Sequence, residues 1–404
     1  MEINHCEENR LKDSEITRSN NISAADLDEE TNNRLRGDAI GDTLYSQSFV
    51  LKTLLQFSHL QWGEEVEEDL CFLWDMTVEK DVCKYLFELS FPSLTCAAVT
   101  KYSENRFTEI IIGILANILC AECDKHITEE EIKIILNELD TDDPLILIQI
   151  MRFINATAHM SKDLPFISET VIDKIKFILC NSTNSDLLLK TLEVVAKLTT
   201  DFKLNRGLVN IGLIEASLIA YQLLMADNES EVFEMDTRSK QLTCRYFLEV
   251  VSNVCVYFDQ SDDKSDLLQF KRHSNVFVDE VFKIVDYFSY EENLLPITDD
   301  IIFYMSVFRF VSELLDVAYR SDLFLSLTKI LYVILDIEEE IVEMLEPVVE
   351  LECFLLFRGN PRVVCNDLKK LPREHVKNIL KAVSENKNKY DFMLDVEYLL
   401  EMYK

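Results

Sequence analysis

The sequence predicts an all-α protein, an armadillo- or HEAT-like α-solenoid of stacked helical hairpins, on three observations. A helix pattern recurs three times in near-register, over Asn105–Cys120, Asp143–Ala158 and Ser185–Thr200, and turns apolar at the same offsets. Twelve places after the expected cap of each copy stand Asn117, Asn155 and Lys197, 38 and 42 residues apart. That period suits helical repeats that stack side by side. Glycine and proline are scarce, with seven of each in 404 residues. Such poverty fits helices joined by short polar turns and fits β-sandwiches and α/β folds badly.

Residues 1–36 are polar, charged and poor in large apolar groups, so they are expected to be disordered, since little burial offsets the ordering entropy. The solenoid is expected over 37–404, with regular repeats over about 92–200 and looser ones over 201–404. Structure begins at Gly37–Tyr45, and helical periodicity carries Ser46–His59 and Glu64–Trp74. Three pairs follow: Pro92–Lys101 with Asn105–Cys120, Glu129–Leu139 with Pro144–Ala158, and Glu169–Cys180 with Asp186–Thr200. Three-residue connections force antiparallel neighbours. Thr128 with Glu131 has capping-box spacing, Asp143 precedes a proline at the first helical position, and Ser168 and Ser185 are further caps. Beyond Asp201 helices are expected near Ile211–Met225, Thr237–Phe258, Asn275–Tyr290, Asp300–Ala318, Asp322–Leu335 and Glu338–Phe357. Acidic links (Ala226–Asp236, Asp259–Ser274, Ser289–Asp299) separate some of them. Helices at Arg373–Val383 and Tyr390–Tyr403 would close the C-terminal end, and the first two helices the other.

Charge and composition narrow the function. The chain has 73 acidic and 40 basic residues, a net charge of −33. A field of that sign repels nucleic-acid phosphates and anionic membranes and favours basic partners, although solubility alone would also explain it. Eleven cysteines are spread singly, mostly within apolar helical stretches, which suits a reducing compartment. The N-terminus lacks the apolar core of a signal peptide, and no stretch of about 18 apolar residues would span a membrane. The expected address is therefore intracellular, in the nucleus or the cytoplasm, where the sequons at Asn155 and Asn181 carry no meaning. No glycine-rich dinucleotide or phosphate loop is present, and no cofactor is expected.

The candidate binding residues are Asn117, Asn155, Lys197 and Asn253. The asparagines fall late in the second helix of a pair, the helix that lines the groove of armadillo-type stacks. An amide offers one donor and one acceptor to an extended peptide main chain. Lys197 interrupts the row and Asn253 resumes it. The alternative is that these amides satisfy backbone groups where stacked helices end. Cys120-Ala-Glu-Cys123 with His126 has metal-like spacing but lacks a local fourth ligand. Asp259-Gln-Ser-Asp-Asp-Lys-Ser-Asp266 lacks the central glycine and terminal glutamate of a calcium loop, and helix capping explains Asp140, Asp142 and Asp143. None of the six histidines has a nucleophile or carboxylate at a telling local spacing.

Four stretches resemble the SAAL1 (serum amyloid A-like) family. They are Gly37-Asp-Ala-Ile-Gly-Asp-Thr-Leu-Tyr-Ser46, Leu70-Cys-Phe-Leu-Trp-Asp-Met-Thr-Val-Glu-Lys-Asp-Val82, Ile112-Gly-Ile-Leu-Ala-Asn117 and Ser182-Thr-Asn-Ser-Asp-Leu-Leu-Leu-Lys190. The resemblance runs from about 37 to 200. It implies an armadillo-like fold, a non-enzymatic role, a nuclear or cytoplasmic address and some connection to cell proliferation. It brings no catalytic or binding residues with it.

The leading expectation is a non-enzymatic scaffold that binds a protein partner, with basic segments favoured, on a concave acidic groove. Replacing Asn117 and Asn155 with alanine should then weaken binding and leave helical content and melting nearly unchanged. An import receptor for basic peptides is disfavoured, because armadillo receptors of that kind carry tryptophan four residues before the groove asparagine, and here those positions are Gly113 and Met151. The alternative class is a carboxylate-based hydrolase with a site assembled from several helices, which requires buried acids with perturbed pKa values around one pocket.

Overall fold

A computed structural model describes residues 37–121, 127–160, 164–200, 204, 208–226, 237–261, 264–336 and 342–385. The disorder expected for 1–36, the helix expected at Tyr390–Tyr403, and Cys123 and His126 lie outside the described residues. Among those described there are nineteen α-helices and no strand. A single bridge, Ala39 to Ser46, closes the opening turn. No helix among the described residues is long and apolar enough to cross a membrane. The chain divides into two compact units, residues 1–126 and 127–404. The first of the three sequence repeats falls in one unit and the other two in the second.

Unit 1 holds α1 (Gln47–Leu55), α2 (Glu64–Met76), α3 (Lys80–Glu88), α4 (Phe91–Lys101) and α5 (Asn105–Cys120). Its opening turn bends back at Gly41 (φ +54°), where a Cβ would lie 2.3 Å from the Asp81 carboxylate. That carboxylate accepts from the Asp42 N–H at 3.0 Å. The α5 helix is the hub, since α2, α3 and α4 all pack on it. It is apolar over most of its circumference, and Phe107, Ile110, Ile111, Ile114, Leu115 and Ile118 are fully buried. A helix apolar on so many faces has to be surrounded by others. Phe107 gathers a cluster of edge-on rings with Phe57, Trp62 and Tyr102 at centroid distances of 5.3, 6.1 and 5.8 Å. The first helical residue of α5 is Asn105; the cap is Glu104, which makes no side-chain cap bond, so the expected Asn105 cap does not form. The α3 helix has no counterpart in the sequence reading. Its buried positions Val82, Cys83 and Leu86 occupy too short a stretch to display a period.

Unit 2 begins with α6 (Glu129–Asn137) and continues with α7 (Pro144–Met160), α8 (Glu169–Asn181), α9 (Ser185–Thr199), α10 (Ile211–Met225), α11 (Thr237–Asp259), α12 (Lys264–His273), α13 (Asn275–Phe288), α14 (Glu291–Leu294), α15 (Asp299–Leu314), α16 (Ser321–Asp336), α17 (Val342–Arg358), α18 (Pro361–Leu368) and α19 (Arg373–Glu385). Its helices form two layers. In one, α7 packs on α9, α9 on α11, α11 on α15 and α15 on α17. In the other, α8, α10, α13, α16 and α19 follow one another. The pairs α8–α9, α10–α11, α13–α15 and α16–α17 each contribute their first helix to the second layer and their second helix to the first, which is the stacked arrangement expected from the sequence.

Local chemistry explains the helix starts. Thr128 and Glu131 form the expected capping box of α6. Asp143 accepts from Leu145 N–H at 2.9 Å ahead of Pro144, and Ser168 caps α8. For α9 the cap is Asn184, accepting from Leu187 N–H at 2.9 Å, with Ser185 already helical. Two stretches read as links contain helices. In 259–274, α12 is polar apart from a few residues, and Phe270 anchors it by stacking on Phe258 at 4.5 Å. In 289–299, the single turn of α14 is held by Leu294, which is fully buried.

Candidate functional site

Asn117, in unit 1, is half-buried near the end of α5, and its amide donates to the Thr77 hydroxyl at 2.7 Å. Thr77 is buried at the C-cap of α2 and donates in turn to the Trp74 carbonyl at 2.5 Å. The asparagine therefore ties two helix ends together. One turn before it, the space above Gly113 is filled by the Trp74 indole, whose ring carbon Cζ2 lies 2.2 Å from where a Cβ at 113 would stand. The tryptophan absent from position 113 is replaced in space by one from α2.

The other three candidates come together in unit 2. Asn155 on α7, Lys197 on α9 and Asn253 on α11 line one recess of about 380 Å³, so three successive helices of one layer each contribute one predicted residue. His159, Glu193, Thr200, Tyr246 and Glu249 complete the lining. These additions were not singled out from the sequence, yet each stands at helical spacing from an anchor. His159 is four residues after Asn155, Glu193 four before Lys197, and Glu249 and Tyr246 four and seven before Asn253.

The recess is organised by bonds between helices. The Asn155 amide donates to Glu193 Oε1 at 2.8 Å, and Lys190 donates to Glu193 Oε2 at 2.6 Å. The Asn253 amide lies 3.2 Å from the Ala196 carbonyl and from the Thr199 and Thr200 hydroxyls, closing the C-terminal end of α9. Arg245 holds Glu249 at 2.9 Å and also pairs with Asp300 of α15. Burial, reinforced by Glu193 and Glu249, pushes the Tyr246 phenol up to about 12, so it stays a neutral hydroxyl at physiological pH.

The lining of this recess carries two carboxylates, Glu193 and Glu249, and one ammonium, Lys197. Lys190 pairs with Glu193, and Arg245 is shared between Glu249 and Asp300, so with Lys197 three cations face three carboxylates. The acidic excess of the chain resides elsewhere in the sequence.

A second recess, of about 420 Å³, lies between α15 and α17 and holds none of the predicted residues. Its charges pair among themselves: Arg309 with Glu350 at 3.0 Å and with Glu313 at 3.4 Å, and Arg358 with Asp316 at 2.7 Å. Glu352, two residues beyond Glu350, is completely buried and accepts from Thr328 of α16 at 2.9 Å. Its second oxygen has no hydrogen-bond partner, and burial pushes the carboxyl up to about 8.

No family model matches the chain. Over 200 residues it is 30% identical to Protein saal1 of Danio rerio, covering 44% of this chain and 43% of that protein. It is 30% identical over 188 residues to Protein SAAL1 of Homo sapiens and 32% identical over 188 residues to that of Mus musculus, covering 40% of each chain in both cases. The aligned stretch thus spans about two fifths of the length of these curated relatives. The resemblance read from the sequence is borne out by these matches.

Proposed function

We propose that the chain is a non-enzymatic protein-interaction scaffold whose partner places a segment in the recess across α7, α9 and α11. The observation that carries this reading is the convergence of Asn155, Lys197 and Asn253, late in three successive helices of one layer, into one polar recess. Helices stacked in one layer repeat their side-chain positions along the stack, and such a row matches the repeating main chain of an extended segment. The reading also takes up the nuclear or cytoplasmic address and the connection to cell proliferation that the resemblance to the SAAL1 proteins implies. A carboxylate-based hydrolase is the less supported alternative. Glu193 and Glu249 are each engaged by a cation, and Glu352, an acid whose pKa burial raises, bonds to α16 while Glu350 lines the second recess.

The test is quantitative affinity purification of the tagged full chain from cells, comparing wild type, Tyr246→Ala and the control Phe177→Ala, which alters an exposed residue of α8 in the other layer. A defined set of proteins should co-purify with wild type and the control and fall at least tenfold with Tyr246→Ala. Equal recovery with all three, or no enriched protein with any, contradicts the proposal.

A further inference from the structure

We propose that the recess across α7, α9 and α11 recognises an acidic side chain of the partner segment, with the Lys197 ammonium as counter-ion and the Tyr246 hydroxyl as a second donor. This inference rests on the interaction reading above and names the chemistry of the partner.

The commitments of the lining groups lead to it. Lys190 is spent on Glu193 and Arg245 on Glu249 and Asp300. Lys197 is half-buried, and among the described residues no carboxylate lies within 4 Å of its ammonium and no hydrogen bond holds it. The Tyr246 hydroxyl is likewise without a hydrogen-bond partner among the described residues. An incoming carboxylate can accept a charge-assisted bond from each of them.

The two glutamates do not argue for a basic ligand. Glu193 already accepts from Asn155 and Lys190, and Glu249 from Arg245. A lysine or arginine arriving here would share carboxylates that already hold a cation and would stand beside Lys197. An acidic residue meets the one ammonium of the lining, which no carboxylate engages among the described residues. Within a chain of net charge −33, a cation with no carboxylate partner of its own also selects its ligand: acidic segments are repelled from the rest of the surface and held here, so the interaction gains in specificity more than in raw affinity.

The test uses a random dodecapeptide display library panned on the full chain, followed by fluorescence anisotropy of the selected peptides. Binding is measured to wild type, Lys197→Gln, Lys197→Glu, Tyr246→Phe and Tyr246→Ala, with circular dichroism checking that each variant remains folded. The expected peptides carry Asp or Glu at one position. Replacing that acid by its amide, or Lys197 by Gln, should weaken binding at least tenfold, and a lysine at the same peptide position should restore binding to Lys197→Glu. Peptides that lose affinity with Tyr246→Ala, lack an acid and are indifferent to Lys197→Glu would overturn acid recognition while leaving the interaction reading standing. Selection of no peptide sensitive to any of these substitutions would overturn both.

Discussion

The indole of Trp74 occupies the space into which a side chain at Gly113 would project, with Cζ2 only 2.2 Å from the position of that missing Cβ. The glycine sits in the middle of α5, where it costs about 1 kcal/mol relative to alanine in helix propensity. That cost is offset by the approach of α2, whose tryptophan could not otherwise reach the buried hub. Gly113→Ala should therefore destabilise unit 1 by about 1–3 kcal/mol despite the better propensity, because the added methyl overpacks a filled space. Urea unfolding followed by tryptophan fluorescence checks this; an unchanged or raised midpoint would show that the indole is free to move aside.

Asn253 and Lys197 line the same recess and should respond differently. The Asn253 amide serves a carbonyl and two hydroxyls at the end of α9, so Asn253→Ala should cost about 1–2 kcal/mol of stability. Lys197 has no such bond among the described residues, and Lys197→Gln should stay within about 0.5 kcal/mol of wild type. The same logic revises the expectation for Asn117 and Asn155. Both are bonded across helices, so their double replacement by alanine should lower the melting temperature rather than leave it unchanged. Thermal denaturation of the variants decides the matter.

Glu352 gives stability a pH dependence of definite sign. Its carboxyl is raised to about 8 in the folded chain, above the ordinary value of about 4.3 for an unfolded glutamate. Its contribution is therefore fully present below about pH 4 and is lost as pH rises through 8. Glu352→Gln removes that dependence and should raise stability at pH 9 by about 2–4 kcal/mol, with little effect at pH 4. Unfolding midpoints of both proteins at the two pH values measure it, and a difference independent of pH would contradict it.

Phe270 is the anchor of α12, the one buried side chain among those described for that helix. Phe270→Ala should cost about 3 kcal/mol and expose the amides of 264–273 to rapid hydrogen exchange, leaving α7 and α9 protected. Equal protection in wild type and variant would mean that the backbone is held by something other than the Phe258 stack.

These residues also explain what was legible in the sequence. Capping boxes and long 3.6-residue periods are local signals, and α5, α6, α7 and α10 begin or end where those signals put them. The α12 helix was hidden because one aromatic anchor makes no period, and α14 because a single turn cannot display one. The candidate site was legible as far as one residue per helix. Glu193, Tyr246 and Glu249 share helix faces with Lys197 and Asn253, and the sequence alone did not reveal which faces of α7, α9 and α11 turn toward one another. The role of Asn117 depended on Thr77, 40 residues away, on a helix end with no pattern of its own. Net charge says little about the recess because ion pairing is local: Lys190 engages Glu193, and Arg245 is shared by Glu249 and Asp300.

Site-specific photocrosslinking in living cells tests the central claim most directly, with p-benzoylphenylalanine placed at position 246 in the recess or at position 177 on the other layer of the full chain. A partner held in the recess gives a discrete adduct from position 246 that Lys197→Glu abolishes, and none from position 177. Equal adducts from both positions, or none from position 246 while partners still co-purify, would contradict it.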